Sequence, residues 1–321
     1  GTVGLNVRGG ATNQNLILLN DAVVYNPSHL FGFFSTFNPD ILKNVELYKS
    51  GIKAEYGGRL SSVLDVHTRE GNLRKISGSG GISPITGRLS LEGPIVKDKT
   101  SFIIGGRTTY SNWIMRQLDD PELNRSRASF HDLTAGISHK IDDENHLYLS
   151  GYFSKDRFNL KNDTSYTYND RNGSVKWKHI FNNKLFGVVT GAYSNYEYTM
   201  ESGRNPINAY KMNFNIEQLN AKADVNYFLN GKHTIDAGIS TVRYNLQPGN
   251  FLPLGAESLV KKDIIQKEHG LESAVYVSDN IELNPRMSIY FGIRYSFYQY
   301  LGAKDVFIYP QDAPRETASI I

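Results

Sequence analysis

The sequence predicts an all-β membrane protein: a transmembrane antiparallel β-barrel, about half of it carried by this chain, with a small α+β plug inside its lumen. Three observations predict it. Beyond residue 71 long stretches alternate apolar and polar residues with period two. Short and long connections alternate between those stretches. Residues 6–69 form a different unit, rich in glycine and short apolar runs.

Composition narrows the class without deciding it. Of 321 residues, 40% are hydrophobic, with Tyr 20, Phe 16 and Gly 29. Few apolar residues with many aromatics fit a barrel with a polar lumen and a thin lipid-facing band; a soluble β-rich protein has the same composition. With Cys 0, disulfide frameworks and thiolate metal sites are excluded. A net charge of +3 is too small to argue for a nucleic-acid partner. No apolar run approaches the roughly 18 residues of a transmembrane helix, so a chain like this crosses a bilayer only as a closed barrel. It opens GTVGLNVRGG, with no initiating Met and no signal peptide, so a processed protein or a fragment is expected.

In the first unit, residues 16–19 and 22–25 read as two short strands around the turn pair Asn20-Asp21. Asn26-Pro27-Ser28 ends the second. Asn38 and Pro39 are an N-cap and a first helical residue, predicting a short helix over 40–43. A strand to Lys49, the glycine turn Tyr56-Gly57-Gly58 and a strand over 62–68 complete it.

Four motifs in order, Val7-Arg8-Gly9, LILLNDAVVY, NPDILKNVELYKSG and EYGGRLSSVLDVHTR, resemble the C-terminal half of the plug of TonB-dependent outer-membrane receptors. The resemblance covers 1–71 by motif and 72–300 by pattern, so the plug is expected at 1–71 and the first part of the barrel at 72–321. It implies an outer-membrane protein of a Gram-negative bacterium that imports a scarce nutrient. The energising partner it implies is the TonB-ExbB-ExbD complex, with a surface lipoprotein and outer-membrane lipid as further partners. The short box that recruits TonB is not in the chain. A non-transporting structural or secretion-associated subunit with the same fold is the alternative.

The barrel reading rests on alternation such as Ile289, Phe291, Ile293 and Tyr295 against Tyr290, Gly292, Arg294 and Ser296. A half-buried soluble sheet alternates too, and connection lengths separate the two. Short turns fall at 97–99, 142–145, 182–184, 230–232 and 284–286; long loops are expected at 113–129, 157–172, 201–212 and 247–267. Outer-membrane barrels have short periplasmic turns and long external loops. Strands are expected at 75–83, 85–94, 100–112, 130–141, 146–156, 173–181, 185–199, 213–229, 233–246, 268–283 and 286–299, with the chain leaving its last strand externally near Lys304. Plugged transporters have about 22 strands, so this is half a barrel.

The candidate site follows from the resemblance. Its plug loops point into the ligand cavity, which makes Tyr25, His29, Phe31, Phe33 and Phe34 candidate ligand-lining residues; packing of the phenylalanines against the wall is the competing reading. Arg8 matches an arginine of the plug motif that is part of a plug–barrel ion-pair cluster, with Lys49 and Arg59 as further latch residues facing barrel glutamates. Lys49 stands where the family more often has arginine, and loses bidentate pairing. The histidines are scattered, with no HExxH. No catalytic constellation, metal site or cofactor is expected; a calcium site at Asp119, Asp120 and Glu122 is less favoured than a solvated loop. Siderophore, cobalamin, peptide and glycan all remain open as ligands.

Overall fold

A computed structural model of the chain describes residues 4–110, 112–117, 119–120, 124–160, 163–302, 307–312 and 314–316. Lys304 and Glu122 lie outside them.

The first unit is a four-stranded sheet. Strand β1 (Asn15–Leu19) turns back into β2 (Ala22–Val23). Asn20 and Asp21 both take positive φ, 49° and 69°. That is the primed turn whose twist matches a tight hairpin, and Asn-Asp tolerates it. Strands β3 (Ser28–His29) and β4 (Phe34–Ser35) pair in a small separate hairpin. Then come β5 (Leu42–Tyr48) and β6 (Ser62–Thr68), and the sheet order is β2-β1-β6-β5. Strand β6 runs parallel to β1 and antiparallel to β5. The helix expected over 40–43 is a 3₁₀ turn, Pro39–Ile41. Asn38 caps it as expected, its side chain accepting from the Asp40 N–H at 3.1 Å. The chain then enters β5, because Val45 and Leu47 alternate in period two. Ile17, Leu19, Val24 and Val66 form the core of this unit, and a wall tyrosine, Tyr152, completes it.

Eleven strands follow, each hydrogen-bonded to the next in one path: β7 (Ser77–Ile82), β8 (Thr86–Val96), β9 (Thr100–Thr109), β10 (Arg127–Lys140), β11 (Asn145–Leu160), β12 (Thr164–Asn182), β13 (Leu185–Ser202), β14 (Tyr210–Phe228), β15 (His233–Pro253), β17 (Glu268–Asn284) and β18 (Met287–Leu301). A two-residue strand, β16 (Asp263–Ile264), pairs with the end of β15. These match the expected strands one for one.

The polarity of the sheet is inverted relative to a soluble protein. Large apolar residues point outward and exposed: Leu89, Leu133, Val175, Val189, Leu219, Ile239 and Val275. Their neighbours point inward and are buried although polar: Ser90, Asp132, Thr134, Ser154, Asp170, Ser174 and Gln218. A lipid-facing wall around a polar lumen requires this arrangement.

One of the expected loops is mostly strand, and two are shortened by longer strands. Residues 157–160 and 164–172 continue β11 and β12 in register, with Phe158 opposite Tyr166 and Asp156 opposite Tyr168. The two ends of 201–212 and the start of 247–267 likewise extend β13, β14 and β15, while residues 203–209 remain a connection. Asn and Asp in these stretches read as loop signals, but Tyr, Thr and Phe beside them favour strand. A tilted strand needs only about 9–11 residues to cross a bilayer, so strands of 18 to 21 residues rise well beyond it.

Candidate functional site: the plug–barrel contact

The segment holding the five candidate ligand residues is a tight loop against β10 and β11. Leu30 (φ 48°) and Gly32 (φ 97°) bend it through the left-handed region. For Leu30 that conformation is costly; its N–H donates to Asp156 Oδ1 at 3.3 Å. His29 is 1% exposed and sits between two wall carboxylates. Its Nδ1 is 2.7 Å from Asp156 Oδ2 and its Nε2 3.2 Å from Asp132 Oδ2. With a carboxylate at each ring nitrogen, both nitrogens must carry protons to donate, so the imidazolium form suits this place. Burial alone lowers the His29 pKa, but hydrogen bonds and charge from Asp132 and Asp156 outweigh it and raise it. The ring also stacks on Phe130, at 4.3 Å between centroids and 6° between planes.

The other candidates divide. Phe34 packs on the same Phe130 at 5.2 Å. Phe33 is 84% exposed. Tyr25 lies at the wall, its hydroxyl donating to Gln218 Oε1 at 2.6 Å and its ring 6.3 Å from Tyr196. Burial is the main cause that pushes the Tyr25 hydroxyl up to about 12. The side chain of Phe31 lies outside the described atoms. Above Tyr25 the aromatic contacts continue along the inner wall, from Tyr196 to Phe214 at 5.9 Å, Phe214 to Tyr198 at 5.0 Å and Tyr198 to Tyr168 at 5.1 Å.

Arg107 of β9 grips this loop from the wall. Its Nε donates to Asp132 Oδ2 at 3.0 Å, and its Nη2 to the carbonyls of Ser35 at 2.8 Å and Thr36 at 2.9 Å. A guanidinium fork does this better than an ammonium, because its donors are fixed in one plane.

Further down, acids of the first unit mostly meet bases of the wall. Glu55 pairs with Lys222 at 2.7 Å, and Lys222 with its wall neighbour Asp224 at 3.2 Å. Asp21 pairs with Lys176, and Asp40 with Arg88 at 2.8 Å. The reverse polarity occurs at Arg69–Glu92, 2.8 Å. Arg294 of β18 donates to the carbonyls of Ala54 and Glu55 at 3.3 and 3.1 Å, and the Tyr290 hydroxyl accepts from the Ala54 N–H at 2.7 Å.

The three arginine and lysine candidates stand apart from these pairs. Arg8 is exposed in a left-handed turn (φ 50°), and Lys49 is exposed. Arg59 is half-buried, its Nη1 donating to the Gly58 carbonyl at 2.8 Å, in a seam it shares with Tyr244 and Glu272. Among the described residues none of the three forms an ion pair. Asp21, Asp40, Glu55, Arg107 and Arg294 were not singled out from sequence. Asp21 reads as a turn residue and Asp40 as the start of a short helix; alternation puts Arg294 on the polar face, but nothing local marks a strand arginine as paired with backbone.

Between the two parts lies a cavity of about 270 Å³, lined by Asp65, His67, Glu55, Lys176, Lys222 and Asp236 among others. Tyr56 donates to Asp65 Oδ2 at 2.7 Å, and His67 Nε2 is 3.1 Å from the same oxygen. Burial would raise the Asp65 pKa, but His67 and Tyr56 outweigh it and hold it low; the Asp65 bond in turn raises that of His67. Among the described residues no group of three His, Cys, Asp or Glu side chains fits a metal ion.

Residues 1–62 match the family model of the TonB-dependent receptor plug domain. Solved structures similar to the whole chain include a mutant of the ferric enterobactin receptor PfeA from Pseudomonas aeruginosa, with 16% identity and a TM-score of 0.68 over 91% of this chain and 50% of that one. The siderophore receptor PirA from Acinetobacter baumannii is similar at 14% identity and a TM-score of 0.65, over 91% and 50%. The ferric-catecholate import receptor Fiu from E. coli K12 is similar at 12% and 0.65, over 95% and 57%. These are receptors and not enzymes. The chain spans about half the length of these structures. No curated protein sequence matches it.

Proposed function

We propose, for a chain whose residues 1–62 belong to the plug domain of the TonB-dependent receptors and whose large sheet has the fold of those receptors' barrels, a part in an outer-membrane receptor that imports a scarce nutrient. In this reading the plug is residues 1–71 and the barrel wall begins at 72. Import is energised from the inner membrane by TonB with ExbB and ExbD. The observation that carries it is the plug–wall contact: a polar lumen filled by a separate unit, held by reversible ion pairs and hydrogen bonds rather than a continuous apolar core. A static seal has no need of that.

Ligand is received on the external side. The exposed ring of Phe33 and the aromatic run from Tyr25 through Tyr196, Phe214 and Tyr198 form the receiving surface. Phe31 belongs to the same loop. His29 and Phe34 hold the loop against Phe130 and so couple ligand arrival to the wall. Arg59 is positioned to act in the seam; Arg8 and Lys49 join only if the plug shifts toward them. A ferric siderophore leads the candidate ligands, because the similar receptors are named for such ligands; cobalamin, peptide and glycan follow.

The test is uptake of radiolabelled ferric siderophores by cells carrying the full-length receptor, with and without TonB. Uptake is expected only with TonB. Uptake unchanged by TonB deletion would overturn active import, and no ligand-dependent uptake by any candidate class would favour the non-transporting subunit.

A further inference from the structure

Beside the His29 contact a third wall carboxylate is buried without a cation of its own. Asp170 of β12 is 2% exposed and faces inward, and its Oδ1 has no hydrogen-bond partner among the described residues. The other two acids are held. Asp156 takes the His29 ring and the Leu30 N–H, and Asp132 takes the Arg107 guanidinium and the other side of that ring. The charged groups close enough to act on Asp170 are His29 and Asp156. Both ring nitrogens of His29 are already committed to the other two acids. With Asp132, Asp156 and Asp170 against His29 and Arg107, the contact is one positive charge short.

A second unpartnered group stands next to it. Asn172, two residues along the same face of β12, is 7% exposed, and neither its Oδ1 nor its Nδ2 has a partner among the described residues. Strand register closes the patch. Asp170 lies opposite Ser154 on β11 and Tyr196 on β13, and Asn172 lies opposite Tyr152 and Ser194. Directly opposed residues on one face have Cβ atoms about 4.5–5.5 Å apart. Ser154 and Ser194, each 2% exposed, therefore flank the Asp170–Asn172 pair from either side. Plug strand β2 lies against β12 and β13 and keeps the patch from water.

A carboxylate taken out of water finds a counter-charge or binds a proton. A proton serves one pair of oxygens. This patch offers a carboxylate, an amide carbonyl and hydroxyls that keep lone pairs free after their own bonds, and a hard cation takes several such oxygens at once. Charge sets its valence. One positive charge balances the contact and two would overshoot, and no group of three His, Cys, Asp or Glu side chains fits a metal ion among the described residues.

We propose that this patch holds one monovalent alkali cation, sodium or potassium, on the Asp170 carboxylate and the Asn172 side-chain carbonyl, with the hydroxyls of Ser154 and Ser194 completing its shell. The ion evens the charge count around His29 and ties β11, β12 and β13 together beneath the plug. The inference rests on the plug–wall contact and not on transport.

The test uses the full-length receptor in detergent. Its thermal unfolding midpoint is followed at one ionic strength while N-methylglucamine chloride, whose cation is too large for the patch, is exchanged for sodium or potassium chloride. A cation that binds only the folded state raises the midpoint with its concentration, and the salt that acts at the lower concentration identifies the ion. Asp170→Asn should remove the dependence. Asn172→Ala keeps the carboxylate and should raise the concentration needed about tenfold, the usual worth of one contact to a charge; it reads the site even if Asp170→Asn fails to assemble. Asp143→Asn, at an exposed turn, should leave the dependence as it is. Identical midpoints in all three salts overturn the site and assign the charge of Asp170 to a proton. A dependence that survives unchanged in Asp170→Asn or in Asn172→Ala overturns it as well, by placing the cation elsewhere.

Discussion

His29 Nδ1 of the plug lies 2.7 Å from Asp156 Oδ2 of the wall, and the ring's other nitrogen faces Asp132. One plug side chain therefore bridges two buried wall carboxylates, and Arg107 supplies a second positive charge at Asp132. Replacing it with alanine leaves Asp156 without its charged partner while Asp132 keeps Arg107, and breaking a buried pair costs about 3–5 kcal/mol. His29→Ala should lower the thermal unfolding midpoint and raise ion conductance through reconstituted receptor. Wild-type conductance in that variant would show that the contact does not hold the plug.

The same contact has a pH dependence of fixed sign. The folded pKa of His29 is raised above its ordinary value of 6.5. Its stabilisation is therefore complete below that value and is lost as pH rises through the higher folded pKa. Amide exchange of residues 25–36 should accelerate on going from neutral to alkaline pH, after correction for intrinsic rates, and His29→Ala should abolish the step. Faster exchange on acidification would contradict the assignment.

Lys222 is shared between plug Glu55 and wall Asp224. Lys222→Glu places three acids together and should destabilise plug docking by a few kcal/mol. Glu55→Lys in the same protein should restore much of it. The coupling is read from the double-mutant cycle in a protease-accessibility assay of the plug; purely additive effects would mean that the pair is incidental.

Gly71 stands where plug meets wall, with φ 85° and its missing Cβ aimed at the Phe102 backbone carbonyl of β9. A side chain there is both strained and blocked. Gly71→Val should reduce assembled receptor in the outer membrane, whereas Gly231→Ala in an open turn should not. Normal assembly of Gly71→Val would mean that the junction relaxes freely.

Phe33 is exposed on the loop between β3 and β4, and Tyr198 belongs to the aromatic run on the inner wall. Phe33→Ala and Tyr198→Ala should each weaken ligand binding about tenfold, the usual effect of truncating an aromatic side chain in a binding surface, without moving the unfolding midpoint. Unchanged affinity in both would place the ligand elsewhere.

Much of the fold was legible because a barrel strand declares itself twice, by period and by turn. The hairpins closed by Asn182 with Leu185, Phe228 with Thr234 and Asn284 with Met287 start where Asn and Lys or Arg turns end the alternation. The overhanging strands were less legible. Asn169, Asp170 and Asn172 look like loop residues in isolation, yet Asp170 is buried against the plug and its strand pairs throughout. The site was half legible. His29 could be singled out as unusual, but not its burial, because Asp132 and Asp156 lie far away along the chain, at separations of 103 and 127 residues. Ion pairs across a lumen depend on strand register, and a single sequence does not print register between non-neighbouring elements.

The parallel pairing of β1 with β6 decides how the plug answers mechanical load. Tension on the chain before Asn15 enters β1 at its first residue, and the anchor to the wall leaves β6 at its last. In a parallel pair those points lie at opposite ends, so the ladder from Asn15–Ser62 to Leu19–Val66 is loaded lengthwise and its bonds share the force together. An antiparallel pair held the same way would part like a zipper, one bond at a time. Such a plug keeps its own sheet under a pull that strips its side chains from the wall, and travels as a body instead of unravelling from its first strand.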